Sequence, residues 1–471
     1  MQKKLSLKII VIFVIGALLM IPLLMISEKI YERQSYLQNA KHSVAQSWTG
    51  AQRLITPILV IPYVTQKSTQ SYNGKSESYE VTTEQHNKMR LILAQNLTID
   101  ASLDTSVRYK GIYQVPVYNA QISVTGKFDQ QAIQENLQSI ENSTDFKHFS
   151  APYVSSMVSD ARGIGNVPVL RWNKQNIPFA PGSRLKANSN GLHAILPMSA
   201  LRQGDQNEKG LSAFSYKMNL RGMEQISFIP VSAQSEISVN SNWAHPEFIG
   251  NFLPIDRQVS GEGYQANWQV SSFASNIGDK LNQCARGNCK ELFKTSFGVK
   301  QIEPVSIYVQ AERSVKYGVL FIGLSFIAFF IFEVTKKLPI HAIQYTLVGF
   351  SIAIFYLLLI SLSEHIAFAA AYAIASFCCI SLLFYYLRYV LQGAKDAFFF
   401  AVLLSVLYAV LYVIISAEDF ALLMGAFLTF ITLALMMIFT RNIDWYNLVD
   451  TKTDKHSVKE IASQIVNKTN N

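Results

Sequence analysis

Charged residues are scarce in this chain: Asp, Glu, Lys and Arg make up only 15% of the 471 residues, whereas soluble domains carry about 25%. Cysteine is scarcer still, and 4 residues are too few for a fold held together by disulfides. Half of the residues are hydrophobic, which excludes intrinsic disorder and a collagen-like repeat. The chain is therefore too apolar to be soluble along its whole length and too polar to lie wholly within a membrane.

Long apolar runs are missing from the middle of the chain but occur on both sides of it. Residues 9–26 contain no charge, which is just enough to cross about 30 Å of hydrocarbon. This run is longer than the core of a cleaved signal peptide and no small-x-small site follows it, so we expect a retained signal anchor. Five further apolar segments follow the middle region: residues 315–332, 343–362, 366–386, 397–416 and 420–439.

The loops between these six segments differ sharply in charge. Residues 2–8, 333–342, 387–396 and the tail from Thr440 together hold 3, 2, 2 and 5 Lys and Arg, or 12 in all. The alternate loops at 363–365 and 417–419 hold none and carry Glu364, Glu418 and Asp419 instead. The positive-inside rule then predicts that both termini are cytoplasmic and that the long middle region lies outside. The net charge of +9 contains no basic block in that region, so we expect no nucleic-acid partner.

The middle region has the composition of a β-rich domain. Runs rich in Val, Ile and Tyr alternate with polar residues and are separated by turn signals. Short helices are predicted at residues 129–141 and 151–161, and residues 28–46 continue the first helix. Strands are predicted at residues 58–64, 90–103, 111–128, 167–172, 214–223, 225–231 and 235–243.

Two cysteines, Cys284 and Cys289, lie close together in the middle region, in the sequence CARGNC. An oxidising compartment outside the membrane permits a disulfide between them. A metal site would need two more ligands, and no His or Cys pair stands nearby in the sequence. The pair is therefore a candidate disulfide, while Cys378 and Cys379 are predicted to be ordinary residues of a membrane helix.

Several segments of the sequence resemble one known family. They include SWTGAQRLITPILVIPY from Ser47, RYKGIYQVPVYNA at 108–120, SDARGI at 159–164, SNWAHPEFIGNFLP at 241–254 and TRNIDWY at 440–446. Together they look like the CreD family of bacterial inner-membrane proteins, also called the cell envelope integrity protein family. The resemblance implies a Gram-negative inner-membrane protein associated with a sensor-kinase regulon, with the response to β-lactams and with envelope maintenance. It implies no reaction and no ligand.

The expected architecture is an α-helical membrane bundle of six transmembrane helices plus a β-rich periplasmic α+β domain. Its expected parts are a cytoplasmic N-terminus with the signal anchor (1–27), the periplasmic domain (28–314), the five-helix part of the bundle (315–440) and a cytoplasmic tail (441–471). We expect a multi-pass protein of the bacterial inner membrane that contacts membrane lipids.

Motifs for catalysis or for cofactor binding are absent from the sequence: we find no P-loop, no H-E-x-x-H and no G-x-S-x-G. Ser183 begins an S-x-x-K pattern, but it lies in a loop rich in Gly, Pro and Asn rather than at the start of a buried helix. We therefore predict no enzyme activity, no cofactor and no metal site.

Three groups of residues are candidates for function. The pair Glu364–His365 joins the third and fourth membrane segments and either caps a helix or binds a headgroup or proton. Glu333, His341 and Gln344 flank the inner ends of the second and third segments, either as a functional cluster or as an ordinary polar interface. Trp243, His245 and Trp268 either stack on a sugar or lipid headgroup or belong to the core.

Two main hypotheses for function follow. The first is a non-enzymatic membrane protein that supports envelope integrity by binding an envelope component, a protein or a glycan, through its outer domain. The alternative is a transporter or flippase of a lipid-like or amphipathic molecule, against which the sequence shows no acidic residue in mid-span and no paired broken helices. The sequence predicts neither the ligand nor the oligomeric state.

Overall fold

The structure, a computed structural model, describes residues 2–73, 78–185, 189–202, 210–303, 307–336, 340–391, 393–416 and 421–441. The chain divides into two compact units. The helical unit comprises Met1–Tyr36 and Val305–Asn471, and the β unit comprises Leu37–Pro304. The loop at 417–420 and the tail from 442, which entered the charge count, lie outside the described residues.

The chain begins with two helices in succession, α1 (Gln2–Leu18) and α2 (Met20–Ser47). They are separated only at Leu19, shortly before Pro22. Proline has no N–H with which to continue the helical hydrogen bonding, which explains the interruption. The prediction that the first helix continues through residues 28–46 is confirmed, because α2 ends at Ser47.

The β unit is built from strands and short helices. Its helices are α3 (Gln130–Glu141), α4 (Met198–Arg202), α5 (Ser272–Ser275), α6 (Ile277–Ala285) and α7 (Lys290–Lys294), with a 3₁₀ turn at Ala161–Gly163. Its strands are β1 (Gln52–Asn73), β2 (Ser78–Ile92), β3 (Ala94–Lys110), β4 (Tyr113–Asp129), β5 (Phe146–Phe149), β6 (Tyr153–Val158), β7 (Val169–Trp172), β8 (Gln175–Pro178), β9 (Ala180–Pro181), β10 (Gly191–Ile195), β11 (Leu211–Met223), β12 (Gln225–Ile229), β13 (Ser232–Ser241), β14 (Pro246–Gly250), β15 (Asp256–Ser260), β16 (Gly263–Ser271) and β17 (Phe297–Gln301).

These strands form two sheets. Sheet A has the order β14-β17-β12-β1-β6-β10-β9, and both β2 and β5 also pair with the long strand β1. Sheet B has the order β15-β16-β13-β3-β4-β11-β7-β8. Most neighbours are antiparallel, but β1 with β12 and β3 with β13 are parallel pairs.

The two sheets pack face to face around one large core. In sheet B the burial alternates residue by residue along β3 and β4, as a half-buried sheet requires. Ile99 and Val124 of sheet B share this core with Leu54 and Phe297 of sheet A, and all four are fully buried. The β unit is therefore a sandwich whose stability comes from the facing apolar sides of its sheets.

The second face of sheet A is also covered. Ile55, Ile58 and Val60 of β1 pack there against Leu281 of α6 and Leu292 of α7. The centre of sheet A is therefore buried on both faces. This explains why β6 consists entirely of buried residues.

The second face of sheet B is covered only near one end. Val115 and Val117 of β4 and Met223 of β11 pack there against Val44 and the partly buried Trp48, at the end of α2. Farther along the same strands the residues on this side become polar and exposed. This uncovered part of sheet B is the open face.

The structure tests the two short helices predicted in this region. The prediction at residues 129–141 is confirmed by α3, whose first turn is capped by Asp129. The prediction at residues 151–161 is wrong, because Tyr153–Val158 is the buried strand β6. A strand buried on both faces shows no polar alternation, so its pattern does not distinguish it from a helix.

The C-terminal part of the chain is helical. Its helices are α8 (Ile307–Lys336), α9 (Ala342–Ser363), α10 (Phe368–Val390), α11 (Ala394–Ser416) and α12 (Ala421–Thr440). Aromatic side chains fill the space between them: Phe355 contacts both Tyr372 and Tyr408, and Phe329 contacts Tyr345.

Length and composition identify the helices that are able to span a membrane. Among the described residues these are Ile10–Ser47, Ile307–Val334, Ala342–Ser363, Phe368–Val390 and Ala394–Ser416. The last helix contributes a shorter apolar stretch, Leu423–Leu435.

Candidate functional site

At one end of the helical unit, Glu333 is bonded to two other helices. Its carboxylate accepts hydrogen bonds from the hydroxyl of Tyr345, at 2.7 Å, and from the ammonium of Lys8 in α1. Lys8 also donates to the carbonyl oxygen of Ile340 at 2.7 Å. Glu333 is only 8% exposed, so these bonds compensate a charge that has little access to water.

His341 and Gln344 form a helix cap at the start of α9. The Nδ1 atom of His341 accepts from the backbone N–H of Ile343, and the Gln344 side chain accepts from the backbone N–H of His341 at 2.9 Å. This reciprocal arrangement is a capping box. The structure therefore separates the predicted cluster into a cap and a buried carboxylate, Glu333.

Glu364 lies at the other end of α9 and forms an ion pair with Arg33 of α2. Its Oε1 atom is 3.3 Å from Nε of Arg33, and its side chain is 10% exposed. Helix α10 begins at Phe368 with Ala367 as its N-cap, so Glu364 does not cap the start of this helix and is instead the C-cap residue of α9. His365 is exposed beside this pair.

The tryptophan cluster lies mainly in the core of the β unit. Trp268 is 2% exposed, and its indole N–H donates to the carbonyl oxygen of Phe252 at 3.1 Å. The indole N–H of Trp243 donates to the carbonyl oxygen of Ile302 at 2.9 Å. His245 is exposed. Trp268 cannot stack on a ligand in this position, and the structural interpretation of this cluster fits the contacts better.

Cys284 and Cys289 are joined by a disulfide in the structure. It links the end of α6 to the residue before α7, and both cysteines pack into the core that covers sheet A. Among the described residues, no group of three or more His, Cys, Asp and Glu side chains is arranged to hold a metal ion.

A polar groove that the sequence did not reveal lies on the open face of sheet B. Its volume is about 790 Å³, and we call it the sheet-B groove. Leu103 and Ala120 also line it, but both are buried, so they offer it mainly backbone. Its polar lining consists of Ser102, Asp104, Asn119, Gln121, Asn219, Arg221, Asn240 and Asn242.

The strand register aligns these polar residues in two adjacent rows. In the first row Asn240, Ser102, Gln121 and Asn219 are direct neighbours across β13, β3, β4 and β11. In the second row Asp104, Asn119 and Arg221 are direct neighbours. On each strand that contributes to both rows, the residue in the second row lies two positions from the residue in the first row. Residues two positions apart on a strand point to the same side, so both rows lie on the same face of sheet B.

One end of the sheet-B groove is fixed by the end of α2. The guanidinium groups of Arg221 and Arg108 lie 5.2 and 4.2 Å from the ring centre of Trp48. The backbone carbonyl of Arg221 also accepts from the hydroxyl of Thr49 at 3.0 Å and from the side chain of Gln52 at 2.9 Å. These contacts hold the backbone and the charge of Arg221 in place.

A third arginine, Arg162, bonds to the helix end itself. Arg162 donates to the carbonyl oxygens of Gln46 and Ala45, at 2.6 and 3.2 Å, where a helix leaves its last carbonyls without partners. Asp160 pairs with Arg162 at 2.6 Å. The hydrogen bond from Arg162 lowers the pKa of the Asp160 carboxyl.

Comparison with known proteins identifies the family. The family model described as inner membrane protein CreD matches residues 4–446. The chain belongs to the CreD family. It is 35% identical over 432 residues to inner membrane protein CreD of Escherichia coli strain K12, which covers 91% of each chain.

The similarity to one solved structure is weak. A mutant M1 zinc metallopeptidase from Deinococcus radiodurans, bound to a Tyr-Ser-Ala substrate, is 6% identical, covers 39% of this chain and 41% of its own, and has a TM-score of 0.17. CreD membership and the apolar helices together identify a multi-pass inner-membrane protein. The family is named for its membrane location and not for a reaction.

Four of the sequence segments that suggested this family contribute residues to the sheet-B groove or to the helix end beside it. Asn119 belongs to the segment at 108–120 and Asn242 to the segment at 241–254. Trp48 and Arg162, which secure the groove's end, come from two further segments. Membership of these segments in the family pattern was the one sequence signal that could have drawn attention to Asn119 and Asn242.

Proposed function

We propose that this protein supports the integrity of the cell envelope by binding an envelope component in the sheet-B groove. The observation that carries the proposal is the pair of polar rows on an otherwise uncovered sheet face. Ordinary solvent-exposed strands are also polar, but here the rows line a groove of about 790 Å³, within the size range of known ligand sites. Trp48 and Arg162 stabilise its end.

The proposal includes a topology with six spans, both termini in the cytoplasm and the β unit in the periplasm. It is supported by the 12 Lys and Arg residues on the loops assigned to the cytoplasm and by their absence from the two short alternate loops, 363–365 and 417–419. Under this topology the sheet-B groove is available to periplasmic components. The helical unit anchors it in the membrane, where lipids surround the exposed apolar residues.

Site-specific photo-crosslinking tests the proposal. A photoreactive amino acid replaces Gln121, which lines the groove, or Thr125, which is exposed on the same strand and the same side but outside it. Ultraviolet illumination of cells should produce adducts with an envelope component at position 121 and not at position 125. Equal adducts at both positions, or none at position 121, would contradict the proposal.

A further inference from the structure

The side chains that line the groove are mostly polar, and their formal charges cancel. It contains one acid, Asp104, and one base, Arg221, while amides predominate among the remaining polar groups. A polyanion would require a cluster of Lys and Arg, and an acyl chain or apolar peptide would require apolar side chains. The composition therefore fits neither of those ligands.

An extended peptide is also a poor fit, because the groove lies on the face of sheet B and not at its edge. Strand β3 is already paired with β13 and β4, and β4 with β3 and β11. A peptide that adds a strand to a sheet needs unpaired backbone N–H and C=O groups, which occur at edges. The ligand must be bound through side chains.

Several side-chain amides are available for this. Within the described ranges, the amides of Asn119, Gln121 and Asn219 are bonded to no other protein group. Each amide offers two donor hydrogens and an acceptor oxygen. Hydroxyl groups on a ligand both donate and accept, so they are suitable partners for such a surface.

Other residues that line the groove are held in position by hydrogen bonds within the protein. Ser102 donates to the amide oxygen of Asn240 at 2.8 Å. The side chain of Asn242 accepts from the backbone N–H of Thr105 at 2.8 Å and donates toward Asp104 at 3.4 Å. Side chains that are already ordered lose less freedom when a ligand binds.

The spacing of the rows is regular. Neighbouring strands in a sheet are about 4.8 Å apart, so the four residues of the first row present polar groups at this repeat. A chain of sugar rings carries hydroxyl groups at a similar repeat along its length. The row is therefore suited to a short stretch of polysaccharide rather than to a single small molecule.

We infer that the sheet-B groove binds an uncharged oligosaccharide segment of an envelope glycan through the amides of Asn119, Gln121 and Asn219. The inference rests on the proposed function, since it assigns a chemical class to the envelope component that this groove binds.

The test uses the full-length protein in lipid nanodiscs and calorimetric titration with chitohexaose, cellohexaose and maltohexaose. At least one of these should bind. The double variant Gln121→Ala/Asn219→Ala should weaken binding by about tenfold or more, since two hydrogen-bonding amides are lost. The control variant Thr125→Ala should bind like the unmodified protein. Gln121→Arg, which keeps an exposed polar side chain but obstructs the row, should also weaken binding.

Three results would overturn the assignment. They are failure of all three hexasaccharides to bind, binding that is unchanged in the double variant and in Gln121→Arg, and equal weakening in Thr125→Ala. Photo-crosslinking distinguishes this failure from failure of the proposed function. Groove-specific adducts with a protein, together with no sugar binding, would overturn only the glycan assignment, whereas absence of adducts would contradict both.

Discussion

Arg33 and Glu364 form an ion pair between α2 and the residue that caps the C-terminal end of α9, with Nε and Oε1 3.3 Å apart. The Glu364 side chain is 10% exposed and that of Arg33 is 45% exposed. Lys8 and Glu333 form a second pair, between α1 and the end of α8. The N-terminal helices are therefore bonded at two separate points to helices from the other end of the chain.

We expect Glu364→Gln to lower stability by about 1–2 kcal/mol, between the values for exposed and buried pairs. Thermal melting of the purified protein in detergent measures this. The charge-exchanged variant Arg33→Glu/Glu364→Arg should recover part of the loss. We also predict that Glu364→Gln and His365→Ala each fail to complement a deletion strain at normal abundance, because a headgroup or proton bound by the Glu364–His365 pair requires the charge itself. Full complementation by both would show that this turn is only structural.

Lys8→Met should be more destabilising, by about 3 kcal/mol, because it leaves the buried carboxylate of Glu333 without its cation. Tyr345 would still donate to Glu333, which limits the loss. The double variant Lys8→Met/Glu333→Gln should be more stable than Lys8→Met alone, since no charge remains buried. A double-mutant cycle measures the coupling between the two side chains. Additive effects would show that the pair contributes no coupling.

Arg162→Ala should lower the stability, because it removes charged hydrogen bonds to the last carbonyls of α2. Arg162→Lys should restore little, since a single ammonium cannot reproduce the forked geometry that joins Asp160 to two carbonyls. Chemical denaturation of the full-length protein measures both variants. Equal stability of Arg162→Ala and the unmodified protein would contradict this role.

The same pair predicts a dependence on pH. The bond from Arg162 lowers the pKa of Asp160 below its ordinary value of 3.8. Its contribution to stability is therefore complete above the ordinary value and is lost as pH falls through the lower, folded value. As pH falls from about 4 through the lowered pKa of Asp160, the melting temperature of the unmodified protein should fall further than that of Arg162→Ala. Parallel curves would show that this carboxylate does not contribute.

The topology can be tested with fusions. A reporter that is active only in the periplasm should be active when fused after Gly210 and inactive when fused after Asn471, because the loop charges predict opposite sides for these positions. A reporter active only in the cytoplasm should give the reverse result and serves as the control. Periplasmic activity at Asn471 would mean an odd number of spans.

Sequence patterns predicted most of the helices because each is a long apolar run with charged ends. They also predicted the β-rich composition of the middle region and α3, which has an amphipathic repeat and the cap Asp129. They failed at β6, where burial on both faces removed the alternation. They left the role of the turn after α9 open, where α10 starts only at Phe368 and Glu364 pairs with a distant helix.

The sheet-B groove was not predictable from local patterns. Its first row joins Ser102, Gln121, Asn219 and Asn240, which lie on four strands far apart in the sequence. Alternation shows which residues of a strand face outward, but not which strands are neighbours or in what register. Those two properties determine the groove and follow only from the pairing of the complete sheet.

Complementation of a deletion strain by the groove variant Gln121→Ala/Asn219→Ala tests the central claim most directly. The strain is challenged with detergent and with a β-lactam, and membrane abundance is matched by immunoblotting. We predict that the unmodified protein and Thr125→Ala restore resistance while the groove variant does not, because its amide row is lost. Full restoration by the groove variant would show that the sheet-B groove is not where this protein acts on the envelope.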